Sequence, residues 1–153
     1  MAKGSGMILL ADTSVWIDFF AGRSVPHVAS LEGSLNQGDD ICLCGVILTE
    51  VLQGIRLDSD YRKTRTYFDS LVFLPMDHTT FVRAAEIHRS LRKRGVTLRK
   101  PVDCMIASVA IEHGIPLLHN DRDFDPIAAL GGLKVVETRE QPTRKSAVRL
   151  RRS

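Results

Sequence analysis

Four acidic residues of this 153-residue chain stand at the ends of apolar runs or inside apolar helical patterns: Asp12 after "MILLA", Glu50 within "VILTEVLQGI", Asp103 just past Pro101, and Asp121 after "IPLLHN". Carboxylates brought together repel, and the repulsion raises their pKa values unless a cation neutralises them. Oxygen-only donors suit a hard divalent ion, Mg²⁺ or Mn²⁺, and no Cys/His pair has the spacing of a zinc site. Such an ion acidifies a water and stabilises charge developing on a phosphoryl group, and two of them ~4 Å apart can hold both the attacking and the leaving oxygen. Phosphodiester hydrolysis is the reaction class these residues imply.

The stretch "LLHNDRDFDP" adds Asp123 and Asp125 to Asp121 in a D-x-D-x-D pattern. A calcium loop opening at Asp121 needs a turn glycine at its sixth position and a glutamate at its twelfth; the chain has Pro126 and Gly132. "ADTSV" likewise lacks the second aspartate of a D-x-D phosphatase. Each acid alone also has a plainer role: Asp12, before Thr13 and Ser14, can cap a helix, Asp103 can complement a helix dipole, and Glu50 can face solvent or pair with a base. What joins the acids is a common expected position.

That position comes from the elements. "MILLAD" and "DICLCG" are short apolar runs with the pattern of buried parallel strands. "FLPM", "IPLLHN" and "LKVVE" are further strand candidates. Helical spacing follows in "TSVWIDFFAG", "VPHVASLEGSLNQG", "VILTEVLQGI", "SDYRKTRTYFDSLV", "TTFVRAAEIHRSLRKRG" and "DCMIASVAIEHG". The alternation predicts an α/β fold, a central parallel sheet of four to five strands flanked by helices in three layers, with ligands at the carboxyl ends of the strands. Asp12 and Asp121 directly follow strands and fall on that edge. Trp16 and Phe19 read as core or partner contacts.

A chain of this size with 44% hydrophobic and 25% charged residues is expected to form one domain. The net charge of +3 conceals an asymmetry: Arg144, Lys145, Arg149, Arg151 and Arg152 crowd the C-terminus, and setting these five and Lys3 aside leaves about −3 for the body. Residues 7–137 are the expected domain, residues 1–6 a flexible lead or expression remnant, and residues 138–153 a basic, flexible tail. Cys42, Cys44 and Cys104 are odd in number and lie in apolar surroundings, which suits buried thiols in the cytoplasm. No apolar run approaches the roughly eighteen residues of a membrane span.

"LLADTSVWIDFF", "ILTEVLQGIR" and "PVDCMIASVAIEHGIPLLHNDRDFDPI", in that order, resemble the PIN-domain ribonucleases, and among them the VapC toxins of bacterial type II toxin-antitoxin modules. The resemblance spans roughly residues 7–137. It implies a Mg²⁺- or Mn²⁺-dependent endoribonuclease acting on structured RNA, often transfer or ribosomal RNA, together with a homodimer and a small cognate antitoxin. Carried over by position, the family's acids fall on Asp12, Glu50, Asp103 and Asp121, with Asp123 as a fifth member or a substitute for Asp121. Thr13 or Ser14 supplies a hydroxyl near Asp12. The strand end departs from the family pattern, with His119 where a Thr or Ser is common.

Independently, "RKRGVTLRKP" places Arg92, Lys93, Arg94, Arg99 and Lys100 just before Asp103, and Arg92, Arg94, Arg99 and Lys100 are the candidates for holding RNA phosphates. Two other functions share these residues: a PIN nuclease for RNA processing or DNA-flap cleavage outside a toxin-antitoxin pair, and a catalytically silent RNA- or protein-binding module.

Overall fold

The computed structural model describes residues 6–138, so the expected lead and basic tail lie almost wholly outside the described residues. Its frame is a sheet of four parallel strands: β1 (Ile8–Ala11), β2 (Asp40–Cys44), β3 (Val72–Leu74) and β4 (Leu117–Leu118), in the order β3-β2-β1-β4. Among the described residues seven helices flank it: α1 (Thr13–Phe20), α2 (Pro26–Asn36), α3 (Gly45–Gln53), α4 (Asp58–Phe68), α5 (His78–Lys93), α6 (Val102–His113) and α7 (Phe124–Ala129). The α/β architecture agrees with the sequence reading. Among the described residues no helix is long and apolar enough to cross a membrane.

The central strands are apolar on both faces, and Leu9, Leu10, Ala11, Ile41, Cys42, Leu43 and Cys44 are all buried, as a parallel sheet covered by helices requires. All three cysteines are buried and free, as expected. Burial pushes the Cys42 and Cys104 thiols up to about 11, which suits packing rather than reactivity.

Two strands are shorter than their sequences suggest. "IPLLHN" contributes only Leu117 and Leu118, because Pro116 has no N–H to extend a ladder; its carbonyl still accepts from the Leu10 amide at 3.0 Å. "LKVVE" makes an isolated parallel bridge between Val135 and Leu117 rather than a fifth strand. Only two rungs hold it, Leu117 N to Lys134 O at 2.8 Å and Val136 N to Leu117 O at 2.9 Å.

The strand order determines where a cleft opens. From β1 the chain proceeds outward to β2 and β3, then returns to place β4 on the other side of β1. Connections therefore leave in opposite directions at the carboxyl ends of β1 and β4, the switch point at which open α/β sheets bind ligands. Helix α6 reaches this point braced against α5: Ser108 Oγ donates to the Thr80 carbonyl at 2.7 Å, and Thr80 Oγ1 donates to Glu112 at 2.6 Å.

Helix α1 is anchored by Trp16, which is fully buried and packs edge-on against Phe68 at 5.1 Å and Phe19 at 5.7 Å, while stacking on Phe20 at 5.8 Å. Replacing Trp16 with Ala should cost ~3–5 kcal/mol through the cavity and the lost ring contacts. Urea denaturation of Trp16→Ala beside the parent protein measures this directly, and a loss under ~1 kcal/mol would contradict the anchoring role.

Candidate active site

Asp12 is the first residue beyond β1, and its backbone N–H donates to the Leu118 carbonyl at 2.9 Å, which ties it to the end of β4. It is buried at 4% exposure. Its Oδ2 accepts the Ser14 amide at 3.0 Å and the Ser14 hydroxyl at 2.6 Å. The capping role is therefore real, the Asp12 side chain serving as N-cap of α1. Burial, opposed in part by the Ser14 bonds and assisted by the charge of Glu50, holds the Asp12 carboxyl above its ordinary pKa.

Ser14 does more than support Asp12. Its Oγ also accepts the amide of Asn120 at 3.0 Å, so one hydroxyl joins the start of α1 to the loop after β4. Thr13 Oγ1 donates to Glu50 Oε1 at 2.7 Å, which fixes the half-buried Glu50 of α3 beside the first helix turn. Both hydroxyls named from the sequence thus contact an acid.

The tightest grouping is Asp103, Asp121 and Asp123, each offering a carboxylate oxygen within 4.8 Å of the others. Asp103 comes from the first turn of α6 and is 2% exposed. Asp121 and Asp123 come from the loop after β4, where the Asp123 amide donates to Asp121 Oδ1 at 2.9 Å and folds the two aspartates together. Asp123 immediately precedes α7 without using its side chain as a cap. Asp123 and Asp121 therefore stand side by side in the cluster. Asp125 is exposed in the first turn of α7 and is not one of the triad.

The donor set fits a hard cation. Asp103 Oδ2 and Asp123 Oδ2 are buried without a hydrogen bond, and a buried carboxylate oxygen in that state needs a cation or a proton. Desolvation pushes Asp103 up to about 7, with Lys100 opposing and the charges of Asp12, Asp121 and Asp123 adding to the rise. Asp121 moves the other way. Its partial burial would raise it, but the Lys100 hydrogen bond, the Asp123 amide and the charges of Lys100 and Arg99 together bring it below the ordinary value.

The four cations expected to hold phosphate divide into two groups. Arg92 and Arg94 end α5 in exposed positions, and among the described residues no ion pair joins them to the acids. Arg99 faces Asp123 at 3.5 Å, and Lys100 donates to Asp121 Oδ2 at 2.6 Å while lying 3.9 Å from Asp103 Oδ2. Lys100 is therefore committed to the acids in this state.

Sequence reading missed Asn120 and Asp18. Asn120 Nδ2 donates to Asp18 Oδ2 at 3.0 Å, and Arg23 pairs with the other Asp18 oxygen at 3.0 Å, a second tie between the β4 loop and α1. The available signal was a buried aspartate on the apolar helix "TSVWIDFF". His119 takes no place among the acids: its Nδ1 accepts the Asp121 amide at 3.2 Å, and its ring packs on Phe124 at 4.8 Å.

Comparison with known proteins agrees with the fold. Residues 9–130 match the PIN domain. The chain is 33% identical over 136 residues to Ribonuclease VapC11 of Mycobacterium tuberculosis, covering 86% of this chain and 100% of that protein. Among solved structures, VapBC2 from Rickettsia felis bound to a DNA fragment from its promoter aligns with a TM-score of 0.70 at 18% identity, over 87% of this chain and 100% of that one. VapBC-1 from nontypeable Haemophilus influenzae aligns with a TM-score of 0.67 at 19% identity, over 86% and 98%.

The pKa displacements fix a pH dependence in the metal-free protein. An acid whose folded pKa is raised contributes stability below its unfolded value and loses it as the pH rises through the folded value. For Asp103 that window runs from 3.8 to about 7, and at ~1.4 kcal/mol per unit it amounts to a few kcal/mol. Asp12 acts in the same direction, whereas the contribution of Asp121 is lost only as the pH falls below 3.8. In EDTA the melting temperature should therefore fall between pH 5 and pH 8, and Asp103→Asn should flatten that decline. A parent and variant that decline equally would count against it.

Proposed function

This chain belongs to the PIN-domain family as a VapC-like member, and from that premise we propose that it is a Mg²⁺- or Mn²⁺-dependent endoribonuclease, the toxin of a toxin-antitoxin module. The observation that carries this reading is the meeting of Asp103, Asp121 and Asp123 within 4.8 Å, with two buried carboxylate oxygens left without hydrogen bonds, while Asp12 is tied by its backbone to the end of β4 at the sheet's switch point.

In this reading Asp12, Asp103 and Asp121 hold the ion, with Asp123 as the adjacent donor. A divalent ion bound there supplies the positive charge that acidifies an attacking water and stabilises the charge developing on the phosphoryl group. Both Ser14 bonds fall on Asp12 Oδ2, which leaves Oδ1 outside them. Glu50, oriented by Thr13, holds or positions the attacking water from the α3 side. Arg92, Arg94 and Arg99 are exposed, and we infer that they act as positioning charges for the phosphates of an approaching strand without reading sequence.

The substrate we infer is structured cellular RNA, transfer or ribosomal, whose cleavage halts translation. In support, one structural relative, VapC20 of Mycobacterium tuberculosis, is described as a sarcin-ricin-loop-cleaving toxin. The partners we infer are a second copy of the chain and a small antitoxin, and the setting is the cytoplasm. Two grooves with exposed aromatic walls support partner binding: about 450 Å³ between Phe19, Phe20, Ile55 and Tyr67, and about 570 Å³ between Val46, Phe73, Met76 and Phe81.

Asp12→Asn and Asp103→Asn should retain the circular-dichroism spectrum of the parent while lowering Mg²⁺-dependent RNA cleavage by ~10²-fold or more, the scale on which loss of charge stabilisation acts. Mapping of RNA ends after brief induction, with parent and variants side by side, gives the readout. Undiminished cleavage by both variants would remove these residues from the mechanism, and a scatter of unrelated ends would remove the site-selective toxin.

A further inference from the structure

Lys100 differs from the other cations of its loop in where its charge sits. Its Nζ donates to Asp121 Oδ2 at 2.6 Å and lies 3.9 Å from Asp103 Oδ2, one of the two buried oxygens lacking a hydrogen bond. Asp103 and Asp121 are two of the three members of the acid triad. The ammonium thus occupies one oxygen, and adjoins another, that a divalent ion would need. Its placement is local and firm: the Asp103 amide donates to the Lys100 carbonyl at 3.1 Å, so the turn entering α6 sets Lys100 and Asp103 on one side. The head group nevertheless retains a way out, because the side chain is 49% exposed.

We propose that Lys100 is a tethered counter-ion that holds the acid triad together in the metal-free protein and is displaced from it when a divalent cation binds. The inference rests on the reading of the acids as a divalent-cation site. Its physical basis is competition between like charges: an ammonium and a divalent ion about 4 Å apart in a partly desolvated site repel strongly, so both cannot keep the same carboxylates. Lysine suits such a role, since its charge rides on a flexible stem and hydrates well once released. Arg99 does not duplicate it, being 81% exposed and facing only Asp123.

Displacement has a consequence for RNA. The event that fills the triad also frees a cation beside it, where a substrate phosphate would lie. Capture of Lys100 by phosphate would in turn favour the ion, because coupling between two binding events is reciprocal.

The test is a titration of the full chain with Mn²⁺ at pH 8 without RNA, following free Mn²⁺ by electron paramagnetic resonance, for the parent, Lys100→Met, Lys100→Gln and Lys100→Arg. Removing a charged hydrogen bond that competes for the site should tighten Mn²⁺ binding by about tenfold in the Met and Gln variants and leave the Arg variant within about twofold of the parent. In EDTA the neutral variants should melt below the parent, and saturating Mn²⁺ should erase the difference. Unchanged or weaker Mn²⁺ binding by both neutral variants, or unchanged melting in EDTA, would overturn the role of Lys100 alone. If none of the four proteins bound Mn²⁺, the metal-site reading itself would fall, and this inference with it.

Discussion

Carboxylates held within a few ångströms of one another push apart, and here neutral scaffolding resists the push while a single ammonium offsets part of it. Asp103, Asp121 and Asp123 stay within 4.8 Å although Asp103 is nearly fully buried. Burial and like charge both raise the cost of ionising Asp103, and Lys100 lowers it only in part. Everything around the sheet's switch point can be understood as fixing acids that would separate if left to themselves.

The supports are hydrogen bonds between elements distant in the chain. Ser14 links the acid after β1 to the loop after β4, Asn120 repeats the link through Asp18, and Thr13 brings α3 to the same place through Glu50. Each connects a residue of α1 to a partner 37 to 106 positions away, apart from the short bond from Ser14 to Asp12. Helix α1 is therefore the beam of the site. Its own rigidity comes from the aromatic contacts of Trp16 with Phe19, Phe20 and Phe68.

Most of the fold was legible because its strands are continuous apolar runs and its helices have clear faces, and the edge on which Asp12 and Asp121 would lie followed from that alternation. What remained hidden depended on partners remote in sequence. The shortness of β4 follows from Pro116, which was visible, whereas "LKVVE" forming only a bridge depends on how few rungs Leu117 can offer. Lys100 was legible as a cation before Asp103, but its pairing with Asp121, 21 positions on, was not. Asp123 could be named only as a reserve, because the turn that brings it beside Asp121 is a backbone-to-side-chain bond that spacing alone does not distinguish from an ordinary loop.

The division between scaffold and site has a further implication. The elements that carry the acids are positioned mainly by apolar packing, neutral hydroxyls and a backbone ladder, to which the Lys100 and Arg99 pairs add charge. The α5–α6 brace through Thr80 and Ser108, the burial of Trp16 and the Asp12-to-Leu118 backbone bond are all made without the carboxylates of the cluster. A site built mainly on ion pairs would reorganise each time its charge was neutralised, because charged partners would be drawn in or released. Here the proposed rearrangement centres on Lys100, whose half-exposed side chain pairs with Asp121 and neighbours Asp103. Preorganised acids and a half-exposed cation beside them are thus complementary in that proposal, and together they let one cluster be stable enough to fold and open enough to bind.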